Sequence, residues 1–183
     1  MSILKQLKVD KRWTLFLDRD GVINLHFPKD YVKDWSEFYF LEGAIEAITR
    51  LSSIFGKIIV VTNQQGVAKG KMSEDTLQSI HLNMLAEIEA AGGRIDSIYA
   101  ATVMANDDPA GIRKPRIGMA MQAQHDFPKI DFAKSIIVGD SITDMQFGRN
   151  ASMFTVLVSD RESSDAVESL LVDFKLHSLN DLK

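Results

Sequence analysis

Five short apolar runs, spread along the chain and separated by segments of helical period, constrain the fold more than any other feature. The runs are "WTLFL" (13–17), "KIIVVT" (57–62), "SIYAAT" (97–102), "SIIVG" (135–139) and "MFTVLV" (153–158). They are continuously apolar rather than alternating, as strands buried on both faces of a parallel sheet are. Between the first two, Leu41, Ala44, Ile45, Ile48, Leu51 and Ile54 recur at the spacing of one helix face. Gly56 reads as the C-cap of that helix. A second helix is predicted to start after Ser73, a good N-cap, with Glu74 and Asp75 in its first turn. Its apolar face is Leu77, Ile80, Met84, Leu85 and Ile88, and Gly92-Gly93 stop it. Shorter helices are predicted around 116–126 and 143–151, and the C-terminal segment is weakly patterned. The β-α-β-α alternation predicts a three-layer α/β fold around a mainly parallel sheet. With 183 residues the chain is most simply one domain, residues 1–183.

Ligands of such folds sit beyond the carboxyl ends of the strands, and the polar clusters of this sequence fall there. "DRDG" follows the first strand, "TNQQG" ends the second and "GDSITD" ends the fourth, while the third leads into a loop closing on "RKP". Four clusters on four strand ends converge on one rim. It gathers Asp18, Asp20, Asp140 and Asp144 with Thr62, Asn63, Arg113 and Lys114. Grouped carboxylates repel one another unless a cation offsets them, and oxygen-only ligation favours magnesium. The lysine and the small hydroxyl and amide donors point to an anion as second partner. Together these describe a phosphoryl-transfer site. An aspartate there can attack phosphorus directly, and a second acid two residues on can protonate the leaving group and later activate water.

These motifs resemble the four motifs of the haloacid dehalogenase superfamily, over roughly residues 12–160. The resemblance implies a Rossmann-like core and a role for each residue. Asp18 would be the nucleophile and a metal ligand, and Asp20 the general acid/base, its backbone carbonyl also touching the metal. Thr62 and Asn63 would bind the transferring phosphoryl group and Lys114 would neutralise it. Asp140 would complete a magnesium site, with Asp144 a ligand or a partner of one. The intervals from Asp20 to Thr62 and from Asn63 to Lys114 leave no room for a cap domain. The segments "FLDRDGVIN", "DYVKDWSEFYFLEGAIEAI", "VVTNQQGVAKGKMSED", "RKP" and "VGDSITDM" are similar to those of capless heptose 1,7-bisphosphate and histidinol-phosphate phosphatases. By that similarity Arg113 would read the substrate, as a bidentate arginine can read a second phosphate. The implied function is magnesium-dependent phosphomonoester hydrolysis on a small sugar bisphosphate such as D-glycero-D-manno-heptose 1,7-bisphosphate. Histidinol phosphate or another polyol phosphate is the alternative. That subfamily carries a zinc loop of cysteines and a histidine before "RKP". Here "TVMANDDPAGI" (102–112) has neither, so no structural zinc is expected.

Bulk properties narrow the alternatives. A formal charge of −4 without a basic run disfavours nucleic acid as partner, and with it a 3′-phosphatase. A binding protein without activity would be expected to lack Asp18, Asp20 or Lys114, and all three are present. "GVAKGK" (66–71) has three residues between its glycines where a P-loop needs four. His26, His81, His125 and His177 show no metal-ligand spacing, which suits surface or core positions. The charged N-terminus does not resemble a signal peptide, and no apolar stretch approaches the roughly 20 residues that span a bilayer. The expected location is the cytoplasm, with no membrane partner.

Overall fold

The computed structural model describes residues 2–28, 30–159 and 170–183. A short helix α1 (Ile3–Leu7) leads into strand β1 (Thr14–Leu17). There follow α2 (Ala44–Ser52), β2 (Lys57–Asn63), α3 (Glu74–Ala90) and β3 (Ser97–Ala101). The second half supplies α4 (Gly118–Asp126), β4 (Ser135–Gly139), α5 (Ile142–Asn150), β5 (Phe154–Val158) and β6 (Phe174–Leu176). The six strands form one sheet in the order β3-β2-β1-β4-β5-β6, and every neighbouring pair is parallel.

Alternate residues of each strand point to opposite faces, and both faces are covered. Leu15, Leu17, Ile58, Val60, Ile136 and Val138 pack with Ile48 and Leu51 of α2 and Ile80, Met84 and Ile88 of α3. Phe16, Ile59, Val61 and Ile137 face the other way, onto Met119, Ala120 and Ala123 of α4 and Phe147 of α5. Burial on both faces is the physical reason for the unbroken apolar runs. α3 begins as expected, the Ser73 side chain accepting the Thr76 N–H at 3.0 Å.

Three details differ from the expectation. α2 ends at Ser52, and Gly56 does not cap it. Gly56 lies where the chain crosses the start of β1, and a Cβ there would stand 2.0 Å from the Lys11 carbonyl oxygen; glycine is needed for the close approach. α1 and β6, of five and three residues, are too short to carry a periodic signal. The intervals flanking β2 behave as expected. Among the described residues, a 3-10 turn (Trp35–Glu37) and α2 lie between Asp20 and Thr62, and α3 and β3 lie between Asn63 and Lys114. No helix of the described residues is long and apolar enough to cross a membrane.

The register places the site. Leu17 of β1 pairs with Val60 of β2 and with Val138 of β4. Asp18 prolongs the ladder by donating its N–H to the Val138 carbonyl at 2.9 Å. The three central strands thus deliver their carboxyl ends side by side.

Candidate active site

At the mouth of β1 and β4 a buried lysine is surrounded by acids. The Lys114 ammonium lies 2.9 Å from Asp18 Oδ1 and 2.6 Å from Asp144 Oδ1, and it donates to the Val61 carbonyl at 2.8 Å. The ammonium is thus set between two carboxylates and a backbone carbonyl. Burial opposes a charge on Lys114, but Asp144 and Asp18 outweigh it and raise its pKa. Asp18 also accepts the Arg19 N–H at 2.7 Å. Burial pushes the Asp18 carboxyl up to about 8; Lys114 opposes the shift, and Asp144, Asp20 and Asp140 add to it. Asp144 is the third residue of α5. Its carboxylate accepts the Ser141 N–H at 3.1 Å and forms a capping box with the Ser141 hydroxyl. Gly139 makes room for it, since a Cβ there would lie 2.2 Å from the Asp144 Cβ.

Asp140 stands on the open side of this group. Its Oδ2 lies 3.1 Å from Nδ1 of the exposed His26. Burial raises its pKa, His26 opposes the shift and Asp144 reinforces it. The turn after Asp20 passes close by: a Cβ on Gly21, whose φ is +84°, would meet Asp140 Oδ2 at 2.1 Å. Asp18, Asp140 and Asp144 each offer an oxygen within 4.8 Å of the others'. Three carboxylates at that spacing, one of them unable to ionise readily, form a donor set fitted to a small divalent cation.

Asp20 sits in a separate clasp. Arg19 Nη2 donates to both its oxygens, at 2.8 and 3.0 Å, Asn24 Nδ2 donates to Oδ1 at 2.9 Å and Gln64 Nε2 to Oδ2 at 2.7 Å. Burial would raise the Asp20 carboxyl, but the Arg19 charge and these bonds hold it below the usual range. Gln64 Nε2 also lies 2.9 Å from the Thr62 hydroxyl, joining the second strand end to Asp20. Arg19 is fully buried. Its Nη1 lies 3.2 Å from Nε2 of His81 on α3, and its guanidinium stands over the Phe38 ring, 5.9 Å from the centroid. Burial and the Arg19 charge depress His81 to about 3, so the imidazole is neutral and accepts. The core position expected for a histidine is occupied by this one.

The expected residues therefore fall into two linked sets. Lys114 meets Asp18 and Asp144 directly, with Asp140 offering an oxygen within 4.8 Å of theirs; Asp20 and Thr62 are tied through Gln64. Asn63 contributes differently from a simple phosphate ligand: its Oδ1 accepts the Lys114 N–H at 3.0 Å and its Nδ2 donates to the Lys114 carbonyl at 3.2 Å. One guanidinium nitrogen of Arg113, Nη1, is buried without a hydrogen-bond partner. Sequence reasoning missed Arg19, Asn24 and Gln64 as parts of the site. All three stand inside the quoted motifs, but only Arg19 lies next to the carboxylates in sequence; the contact of Gln64 with Asp20 spans 44 residues and has no local signal.

Comparison with known proteins identifies the family. The family described as "Polynucleotide kinase 3 phosphatase" matches residues 15–174, and the chain belongs to it. A D-glycero-alpha-D-manno-heptose-1,7-bisphosphate 7-phosphatase of Mycobacterium tuberculosis (strain ATCC 25618 / H37Rv) is 38% identical over 141 residues, 77% of this chain and 74% of the relative. The chain is a phosphatase of the haloacid dehalogenase superfamily. A D-glycero-beta-D-manno-heptose-1,7-bisphosphate 7-phosphatase of Yersinia pestis is 35% identical to this phosphatase over 175 residues, 92% of each chain. The crystal structure of D,D-heptose 1,7-bisphosphate phosphatase from B. bronchiseptica, complexed with magnesium and phosphate, superposes on the phosphatase with a TM-score of 0.81. It is 29% identical and covers 93% of this chain and 95% of its own.

Proposed function

We propose that this phosphatase hydrolyses the 7-phosphate of D-glycero-D-manno-heptose 1,7-bisphosphate in the cytoplasm, within one domain spanning residues 1–183. The observation that carries the chemistry is the contact of Lys114 with Asp18 beside Asp140 and Asp144. A carboxylate oxygen at the end of β1 is held next to a fixed positive charge, where a phosphoryl group could approach from the strand ends. The names of the relatives carry the substrate.

Asp18 attacks phosphorus, the bond to the sugar oxygen breaks, and an aspartyl phosphate forms. Asp20 gives a proton to the departing sugar oxygen, then takes one from the water that releases phosphate and regenerates Asp18. The clasp of Arg19, Asn24 and Gln64 favours the charged Asp20 that the second half-reaction needs as base. At least one of these donors must let go for Asp20 to carry a proton in the first. Thr62, Asn63 and Lys114 bind the transferring group, and Asn63 also fixes the backbone of Lys114. Asp18, Asp140 and the Asp20 carbonyl would hold magnesium, with Asp144 against them. Magnesium, when bound, offsets the crowding of carboxylates and stabilises charge on the phosphoryl oxygens.

The metal reading has a test apart from turnover. Magnesium at a hundred times its Kd should stabilise the fold by about 2.7 kcal/mol, or roughly 5–10 °C in Tm for a chain of this size. The shift should be lost in Asp140→Asn, and a chelator should abolish phosphate release. A Tm indifferent to magnesium would remove the assignment.

A second reading, a polynucleotide 3′-phosphatase, is suggested by the family description, "Polynucleotide kinase 3 phosphatase". Phosphate release should therefore be compared across both anomers of the heptose bisphosphate, histidinol phosphate, common sugar phosphates and a 3′-phosphorylated oligonucleotide. The expected result is a kcat/KM for one heptose anomer at least a hundredfold above all non-heptose substrates. Preference for the oligonucleotide would replace the sugar reading with the second.

A further inference from the structure

Residues 102–112 leave β3 and return to the site at Arg113, and one buried side chain organises their last part. Asp108 Oδ1 accepts the Ile112 N–H at 3.0 Å, and Oδ2 accepts the Arg113 N–H at 2.9 Å. The Asp108 carbonyl accepts the Gly111 N–H at 3.2 Å and a bond from the Arg116 guanidinium. Arg116 also lies 3.6 Å from the carboxylate. Gly111, at φ +65°, turns the chain inside this bracket, and its carbonyl accepts the Gly118 N–H at 3.0 Å. Both oxygens of a buried carboxylate are thus spent on consecutive backbone N–H groups, the second belonging to Arg113.

The next residue is pinned from the other side. Asn63 holds both the N–H and the carbonyl of Lys114, and the Lys114 ammonium is fixed by Val61, Asp18 and Asp144. Adjacent residues are therefore set by independent supports, Arg113 by Asp108 and Lys114 by Asn63. Arg113 retains a buried nitrogen without a partner, a costly arrangement that an anion would relieve. A guanidinium that must meet a phosphate with two bonds tolerates little play in the backbone that carries it.

We infer that Asp108 is a positioning residue for substrate selection: it fixes the backbone at Arg113 so that the guanidinium meets the distal phosphate of a sugar bisphosphate, separately from the reacting end. This rests on the proposed reading of Arg113. Asp108 touches neither substrate nor the reacting atoms and acts through its neighbour.

The test compares kcat/KM for heptose 1,7-bisphosphate and for p-nitrophenyl phosphate in Asp108→Asn, Arg113→Ala and the double variant, all with saturating magnesium. Asparagine keeps the volume but sets an N–H donor against one of the two backbone N–H groups. Asp108→Asn should lose about tenfold on the bisphosphate, mainly through KM, and no more than about threefold on the aryl phosphate. Arg113→Ala should show the same selectivity. The double variant should be no more selective than Arg113→Ala alone, the non-additivity of residues acting in series. Arg116→Ala leaves the buried bonds of Asp108 in place and should shift the ratio the same way by less, which serves if Asp108→Asn does not fold. Equal losses on both substrates in Arg113→Ala would overturn the reading of Arg113. A selective Arg113→Ala combined with a non-selective Asp108→Asn, or additive losses in the double variant, would overturn the role of Asp108 and leave that reading intact.

Discussion

Asp18→Asn should lower kcat for phosphate release by at least about ten-thousandfold, the scale of losing a nucleophile from a group of residues that work as a unit. Residual activity within tenfold of wild type would remove Asp18 from that role. The fold should survive. In chelator at neutral pH, Asp18, pushed up to about 8 chiefly by burial, retains its proton for the most part, so asparagine is close to isosteric with it. Wild-type and variant Tm values should then agree within about 2 °C at or below about pH 4, since no large cavity or unpaired charge is created, and the variant should be the more stable at neutral pH, where only the wild type must take up a proton on folding. The pH dependence separates them. The folded state keeps a proton on Asp18 that the unfolded chain releases near the ordinary 3.8. The metal-free wild type should therefore lose stability as pH rises from about 4 to about 8, where the folded state binds more protons. Asp18→Asn should lack that component of the slope. Paired melting curves at pH 5 and pH 8 in chelator measure it; identical slopes would mean that Asp18 ionises freely in the fold.

Lys114→Met should damage both stability and turnover. The substitution keeps length and apolar bulk but leaves Asp18 and Asp144 buried without the ammonium between them. Removing one partner of a buried ion pair costs about 3–5 kcal/mol, and the lower end is expected because Asp18 already holds a proton for the most part at neutral pH in chelator. Phosphate release should fall at least about a hundredfold, the order of one electrostatic donor removed from a reacting centre. Denaturant melts at pH 7, with phosphate-release assays alongside, check both parts. A stable variant with undiminished kcat would mean that Lys114 is structural filling.

The strand ends and the helix faces were legible because they rest on local pattern. Continuous apolarity marks β1, β2, β4 and β5, the i, i+3, i+4 spacing marks α2, and Ser73 with its acidic first turn marks α3. Asp18, Asp20 and Asp140 could be placed on one rim because each closely follows a strand, and parallel strands carry their carboxyl ends to one edge. What was not legible depends on partners remote in the chain. The Arg19 side chain reaches a histidine 62 residues away, and no spacing within "DRDG" announces His81. Gln64 stands beside "TN", yet its bridge from Thr62 to Asp20 exists only because β1 and β2 are neighbours. Asp108 sits in a loop without periodicity, where an aspartate reads as an ordinary turn residue. Its buried bonds to Ile112 and Arg113 appear only in three dimensions.

The two glycines that abut the acids bear on how such a phosphatase could change its preferences. Gly21 and Gly139 lie so close to Asp140 and Asp144 that even a methyl group would overlap a carboxylate. The reacting centre therefore has almost no freedom to drift residue by residue. The loop from 102 to 112 is different: it begins past the last strand residue, Ala101, and ends two residues before Lys114, which Asn63 anchors from outside the loop. It can be exchanged as a cassette, with the chemistry left untouched on the far side of the Lys114 anchor. Diversification in this architecture is thus channelled into one short segment, and grafting that segment between relatives is the natural route to a phosphatase with a new substrate.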